Sequence, residues 1–133
     1  MTGETNLDRL IETMSATLVE GLYVFVTLKD GKLPDGLQPR MIFGEAEGTT
    51  LIVLKDEAKA AGVDYVFPSR MITLNVHSSL EAVGFLAGIT TALAKLNMGV
   101  NPLSGYYHDH LFVPDGREQE AITALKKMAA GLA

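Results

Sequence analysis

From Arg70 onward the hydrophobic period changes repeatedly, and the order of those changes limits the fold more than any other feature. "RMITLNV" (Arg70–Val76) alternates with period two, as a half-buried strand does. Ala82, Phe85, Leu86, Ile89, Leu93 and Leu96 then recur at helical spacing. "VNPLSGYY" and "HLFVP" return to extended character. Glu118–Leu132 is amphipathic through Ala121, Ile122, Leu125, Met128, Ala129 and Leu132. The order is strand–helix–strand–strand–helix, one strand short of a ferredoxin-like unit. An incomplete sheet leaves an open edge, so the first half is expected to supply the missing strand, with "LYVFVTL" (Leu22–Leu28) as the candidate.

The first half reads as a degraded copy of the second. Leu7, Leu10, Ile11 and Met14 mark a short helix. "LYVFVTL" is a strand ending in the turn signature "KDGK", and Lys29–Pro39 holds two Pro and two Gly, so a loop stands where the first helix belongs. "RMIFGEAEG" and "TTLIVLK" form a hairpin around Glu47–Gly48, and "DEAKAAG" gives two helical turns stopped by Gly62. At 133 residues the chain suffices for one ordinary domain or two small halves sharing a core. The expected class is α+β: two intertwined ferredoxin-like halves, residues 1–66 and 67–133, with antiparallel sheets and helices on one face.

Charge and motif content narrow the function. A net charge of −5 and a pI near 5.1, without a basic patch, argue against nucleic acid or an anionic membrane as partner. The pair Lys126–Lys127 sits late in a helix, where cations complement the dipole. Absent cysteines exclude disulfides and thiolate chemistry. "MTGETNLDRL" has no leader pattern, and the longest near-apolar run, Ala82–Leu96, is too short and polar to span a bilayer, so a cytoplasmic location is expected. Nucleophile-elbow, phosphate-loop and dinucleotide motifs are missing, so the expectation is a non-catalytic protein without cofactor.

Two stretches hold the candidate site residues. In "YYHDHLFVP", His108 and His110 would share a face of a continuous strand and, with His77, could hold a metal. The alternatives are a polar turn, with or without a ligand or subunit contact. In "NVHSSLEAVG", Ser78-x-x-Glu81 has capping-box spacing, and a helix start offers N–H groups and a positive dipole end to a carboxylate. In the first half, Ser15, Thr17, Glu45 and Glu47 could complete a second site, or simply solvate an edge. "NMG" closes the long helix, with Gly99 as the left-handed cap.

The segment "ITLNVHSSLEAVGFLAGITTALAKLNMGVNPLSGYYHDHLFVP" resembles the ACT domain, a small regulatory module that binds amino acids. The matching features are a strand ending in a polar loop, Gly84 one turn into the helix, the "GV" of Gly99–Val100 and a tight hairpin into "LFVP". With "MSATL", "EGLYVF" and "GEAEGTTLIV" in the first half, roughly Met14–Met128 is similar to stand-alone proteins of two tandem ACT-like halves. The resemblance implies a turn near His108–Asp109, where Asp can bond its own backbone. It also implies a small amino-acid ligand held by His77, Ser78, Ser79, Leu80 and Glu81, with Asn101 across a subunit interface. A homodimer or higher oligomer follows from the same resemblance. A ligand-free module that docks onto a partner protein is the rival reading.

Overall fold

The computed structural model describes residue 3 and residues 5–131. In chain order the elements are α1 (Leu7–Thr13), β1 (Ala16–Leu18), β2 (Tyr23–Leu28), β3 (Met41–Glu45), β4 (Gly48–Leu54), α2 (Lys55–Ala61), β5 (Val66–Leu74), α3 (Phe85–Ala94), β6 (Asn101–Ser104), β7 (Asp109–Pro114) and α4 (Glu118–Ala129). Leu132, the last residue of the expected final helix, lies outside the described residues. The chain divides into two compact units, residues 1–20 with 70–133, and residues 21–69.

In the larger unit the strands run β1–β5–β7–β6. The strand that completes this sheet is β1, antiparallel to the end of β5 through Ala16↔Leu74 and Leu18↔Ile72. Val19 and Asn75 extend the pairing with backbone bonds to Met71 and Ser15. The expectation that Leu22–Leu28 fills this place is therefore corrected. Three residues suffice because α1 fixes the approach: Asn6 caps it by accepting from the Arg9 N–H, and Leu10 and Met14 enter the core beside Ile72, Leu74, Phe85, Ile89, Leu93, Leu111, Val113 and Leu125. Leu111 and Val113 alternate with His110 and Phe112 along β7, so the helices cover one face of the sheet.

The smaller unit has strand order β3–β4–β2–β5, using only the first residues of β5. Segment 22–28 is thus the first strand of its own unit, paired along its whole length with β4. A bulge at Phe67–Pro68 shifts the β2–β5 register; Phe67 there has φ 55°, and a proline, lacking an N–H, is tolerated at such a break. No helix follows β2. Instead Leu37, from the loop before β3, is buried with Val24, Val26, Leu28, Leu51, Val53 and Ala58. The Gln38 N–H donates to Glu57 Oε1 at 2.7 Å, which ties that loop to α2. Helix α2 ends at Gly62 in the left-handed region, φ 69°, as the sequence suggests.

Two local expectations fail for identifiable reasons. The long helix begins at Phe85, not at the serines, because Gly84 with φ 88° is its N-cap and no side chain caps it. At its other end the left-handed residue is Asn97, φ 56°, rather than Gly99, since the Asn97 N–H bonds Ala94 O and the chain has already turned. Among the described residues no helix is long and apolar enough to cross a membrane.

Candidate functional site

The site grows out of two connections in the larger unit, both at the same end of its sheet. The first is the long link from β5 to α3; the second is the β6–β7 hairpin. The hairpin register, Leu103↔His110 and Ser104↔Asp109, leaves Gly105–His108 as its loop, closed by the Gly105 N–H on His108 O at 2.9 Å. The turn therefore precedes the predicted His108–Asp109 position. Asp109 is the first residue of β7, and its pleat aims the side chain toward the helix layer, as for Leu111 and Val113.

That orientation buries Asp109 to 5% exposure, and Ser78, at 7%, donates its hydroxyl to Asp109 Oδ2 at 2.9 Å. The aspartate thus bonds a residue 31 positions away instead of its own backbone, which corrects the expected role in the bend. Ser79 Oγ accepts from the Glu81 N–H at 3.1 Å, a local turn and not a helix cap. As at any helix start, the first-turn N–H groups of Phe85, Leu86 and Ala87 have no intrahelical partner, and no side chain caps them, while the Gly88 N–H takes Gly84 O.

A cavity of about 250 Å3 lies between these parts, lined among others by Ser78, Ser79, Leu80, Gly84, Ser104 and Asp109. Of the residues singled out in the sequence, it gathers Ser78, Ser79, Leu80 and Asp109. Glu81, Asn101 and His108 are not in its lining: Glu81 and Asn101 are exposed, and His108 sits in the hairpin loop. His77 lies beside the cavity, its ring 5.5 Å from Tyr107 and 6.4 Å from Tyr106, with the two tyrosines in edge contact at 5.0 Å. Ser104 and the Gly84–Ala87 turn were missed. Ser104 was legible once the hairpin loop is set at four residues, since it then pairs with Asp109; the helix turn was hidden behind the false capping box.

The three imidazoles do not assemble. His110 Nδ1 lies 2.9 Å from Thr73 Oγ1, His77 packs on tyrosines, and among the described residues no group of three or more His, Asp or Glu side chains is placed to hold a metal ion. The Ser78 hydroxyl meets the Asp109 carboxylate directly. Ser15 and Thr17 belong to the larger unit, where Asn75 Nδ2 donates to Thr17 Oγ1 at 2.6 Å and, at 3.4 Å, to Ser15 Oγ. Glu45 and Glu47 belong to the other unit, in the β3–β4 hairpin, where Thr50 donates to Glu45.

Comparison with known proteins agrees with this architecture. Residues 2–70 match one ACT domain family model and residues 66–127 match another. The chain belongs to the ACT domain family. Its two ACT domains stand in tandem, and a search of curated proteins finds no match. Among solved structures it is 41% identical to a Vibrio cholerae protein of unknown function, described as a possible transport protein, with TM-score 0.83 over 94% of this chain and 97% of that one. An Agrobacterium tumefaciens protein superposes with TM-score 0.67 at 15% identity, covering 87% and 89%. The ligand-free regulatory subunit of aspartate kinase from Thermus thermophilus superposes with TM-score 0.64 at 13% identity, covering 85% and 95%. The ACT domains support a regulatory, ligand-binding role in general.

Proposed function

We propose that this protein is a non-catalytic sensor whose larger unit binds a small amino acid in the cavity between the β5–α3 loop and the β6–β7 hairpin. The observation that carries the reading is the pairing of opposite chemistries across that cavity. Asp109 offers a buried carboxylate to an ammonium group. The uncapped first turn of α3 offers N–H groups and the positive dipole end to a carboxylate. Ser78, Ser79 and Ser104 add hydroxyls between them. At about 250 Å3 the space falls below the range of roughly 300–1,000 Å3 common for drug-sized ligands, which favours a small side chain. Leu80 lines the cavity and is 67% exposed, so it can close over a ligand. His77, Glu81, Asn101 and His108 would then act from outside the cavity or from a second copy.

Self-association fits the edge of the smaller unit. Ile42 and Phe43 point to opposite faces of the edge strand β3 and are 61% and 62% exposed, an apolar edge that a second copy can cover by continuing the sheet. The exposed Tyr106 and Tyr107 beside the cavity equally favour protein contact, which keeps the docking-module reading in play.

A thermal-shift panel of the twenty amino acids decides between them. A ligand at 100 times its Kd adds about 2.7 kcal/mol to folding stability. One or two small amino acids should raise Tm, and Asp109→Asn should remove that shift. If none moves the transition, the sensor reading falls and the docking reading stands. Light scattering should give a multiple of 14.3 kDa that Phe43→Lys lowers; a monomeric wild-type protein would sink the oligomer.

A further inference from the structure

Residues 75–84 join β5 to α3 with no helix or strand of their own, and their backbone bonds are short in span. The Ser78 N–H takes Val76 O at 3.0 Å, the Ala82 N–H takes Ser79 O at 3.0 Å, and the Glu81 N–H takes Ser79 Oγ. Bonds over two or three residues set local bends; they do not fix where a loop lies against a sheet. Yet from this loop Ser78 reaches Asp109, and Ser78, Ser79, Leu80, Ala82 and Gly84 line the cavity. The loop is therefore a wall that has to be backed from outside.

Gly3 and α1, in the same unit, supply that backing at the two ends of the loop. A Cβ added at Gly3 would fall 2.6 Å from the Ser78 carbonyl carbon, 2.6 Å from the Ser79 nitrogen and 2.7 Å from His77 O. Non-bonded carbons pack at about 3.5–4.0 Å, and these three neighbours are main chain, so no rotamer change makes room. Gly3 thus packs directly on the Ser78–Ser79 peptide because it carries no side chain. At the other end Leu7, the first residue of α1, brings Cδ2 within 3.5 Å of where a Gly84 Cβ would stand. Its helix is held in turn: Leu10 and Met14 are buried in the core, and Asn6 caps the first turn. Neither Gly3 nor Leu7 is in the cavity lining, so both bear on its wall from outside.

We infer that Gly3 is a positioning residue for the cavity: its backbone, packed on the Ser78–Ser79 peptide, holds the β5–α3 loop where Ser78 meets Asp109, and Leu7 steadies the loop at Gly84. The backing stands on the geometry alone; its effect on a bound amino acid rests on the sensor reading above. Apparent affinity scales with the fraction of molecules whose loop is in place, so a residue that never touches the ligand still sets its Kd. The coupling is reciprocal: an occupied cavity holds the loop, and the loop then holds Gly3. Occupancy of the cavity is thus passed to Gly3.

The test compares wild type, Gly3→Ala and Leu7→Ala in the full chain, by amide hydrogen exchange without ligand and by titration with glycine, L-alanine and L-serine. In Gly3→Ala the Ser78 and Ala82 amides should exchange on the order of tenfold faster, while those of Ile89 and Leu125 keep the wild-type rate. A probe that binds wild type should bind Gly3→Ala about tenfold more weakly. Leu7→Ala, at a partly exposed position, should move both readings the same way by a smaller factor; circular dichroism checks the fold of each variant. Unchanged Ser78 and Ala82 exchange in folded Gly3→Ala would overturn the positioning role. Equal acceleration at Ile89 and Leu125 would do so too, since Gly3 would then act on stability alone. Faster loop exchange with unchanged probe affinity would separate the loop from the cavity and overturn it as well. If none of the three probes binds wild type, the amino-acid reading falls, and the exchange rates alone uphold or overturn the role of Gly3.

Discussion

The two units share one strand plan and differ after its first strand. In each, the opening strand (β5 or β2) lies between the strand that closes the unit and the second arm of a hairpin, in the orders β1–β5–β7–β6 and β5–β2–β4–β3. In the larger unit the opening strand leads through a polar loop to α3, and a cavity forms at that junction. In the smaller unit the same connection is a loop of residues 29–40, and Leu37 fills the space a helix would cover. One plan thus gives a unit with an uncapped helix start and a buried acid, and another with a plugged core. The lesson is that the strand order carries the fold, while the strand-to-helix junction carries the chemistry.

The most severe way to break the comparison is to remove the segment that closes the larger unit. A chain of residues 67–133 loses β1, Leu10 and Met14, and should show no cooperative thermal transition; a folded monomer would contradict the closure. Next come the core residues that arrive from outside each unit's hairpin. Leu10→Ala, fully buried on α1, should cost about 3 kcal/mol, and Leu37→Ala about 2 kcal/mol, because a loop collapses onto a void more easily than a helix does. Urea unfolding measures both, and equal losses would remove the distinction.

Ser78→Ala isolates the chemistry of the junction. It strips the hydroxyl from a buried carboxylate and should destabilise the larger unit by about 2 kcal/mol, the cost of a hydrogen bond to a charged group. The hairpin of the smaller unit offers a contrast: Thr50→Ala, whose partner Glu45 is exposed, should lie within about 0.5 kcal/mol. Smallest is Glu120→Gln, which breaks the surface pair with Arg117. Because that pair lowers the Glu120 pKa, its contribution is present above the unfolded carboxylate pKa and disappears as pH falls through the folded one. The Tm difference between variant and wild type should therefore vanish in acid; a difference that grew on acidification would contradict this assignment.

Much of the fold was legible because periodicity reports local geometry. The strand at Tyr23–Leu28, the hairpin at Met41–Leu54, the Gly62 stop and the helix at Glu118 all follow from residues acting on near neighbours. The ACT resemblance supplied the plan that joined them. The site was only partly legible. Ser78 and Ser79 were named for helix capping and Asp109 for a turn, with Leu80 named only through the resemblance, yet Ser78 and Asp109 meet across 31 residues for another reason. Capping-box spacing and a left-handed glycine compete for the same helix start, and spacing alone does not decide between them; Gly84 took the N-cap once Ser78 turned to the buried aspartate.

The sequence by itself determined most of the strands, the final helix and that the second half lacks a strand, since these depend on side-chain period and turn chemistry within a few residues. Only the tertiary structure decided that Ala16–Leu18 supplies the strand and that Asp109 faces Ser78. The physical reason is that both are long-range choices among segments of similar local propensity. They are settled by which partner lets Leu10 and Met14 reach the core, and which leaves no carboxylate buried without a donor.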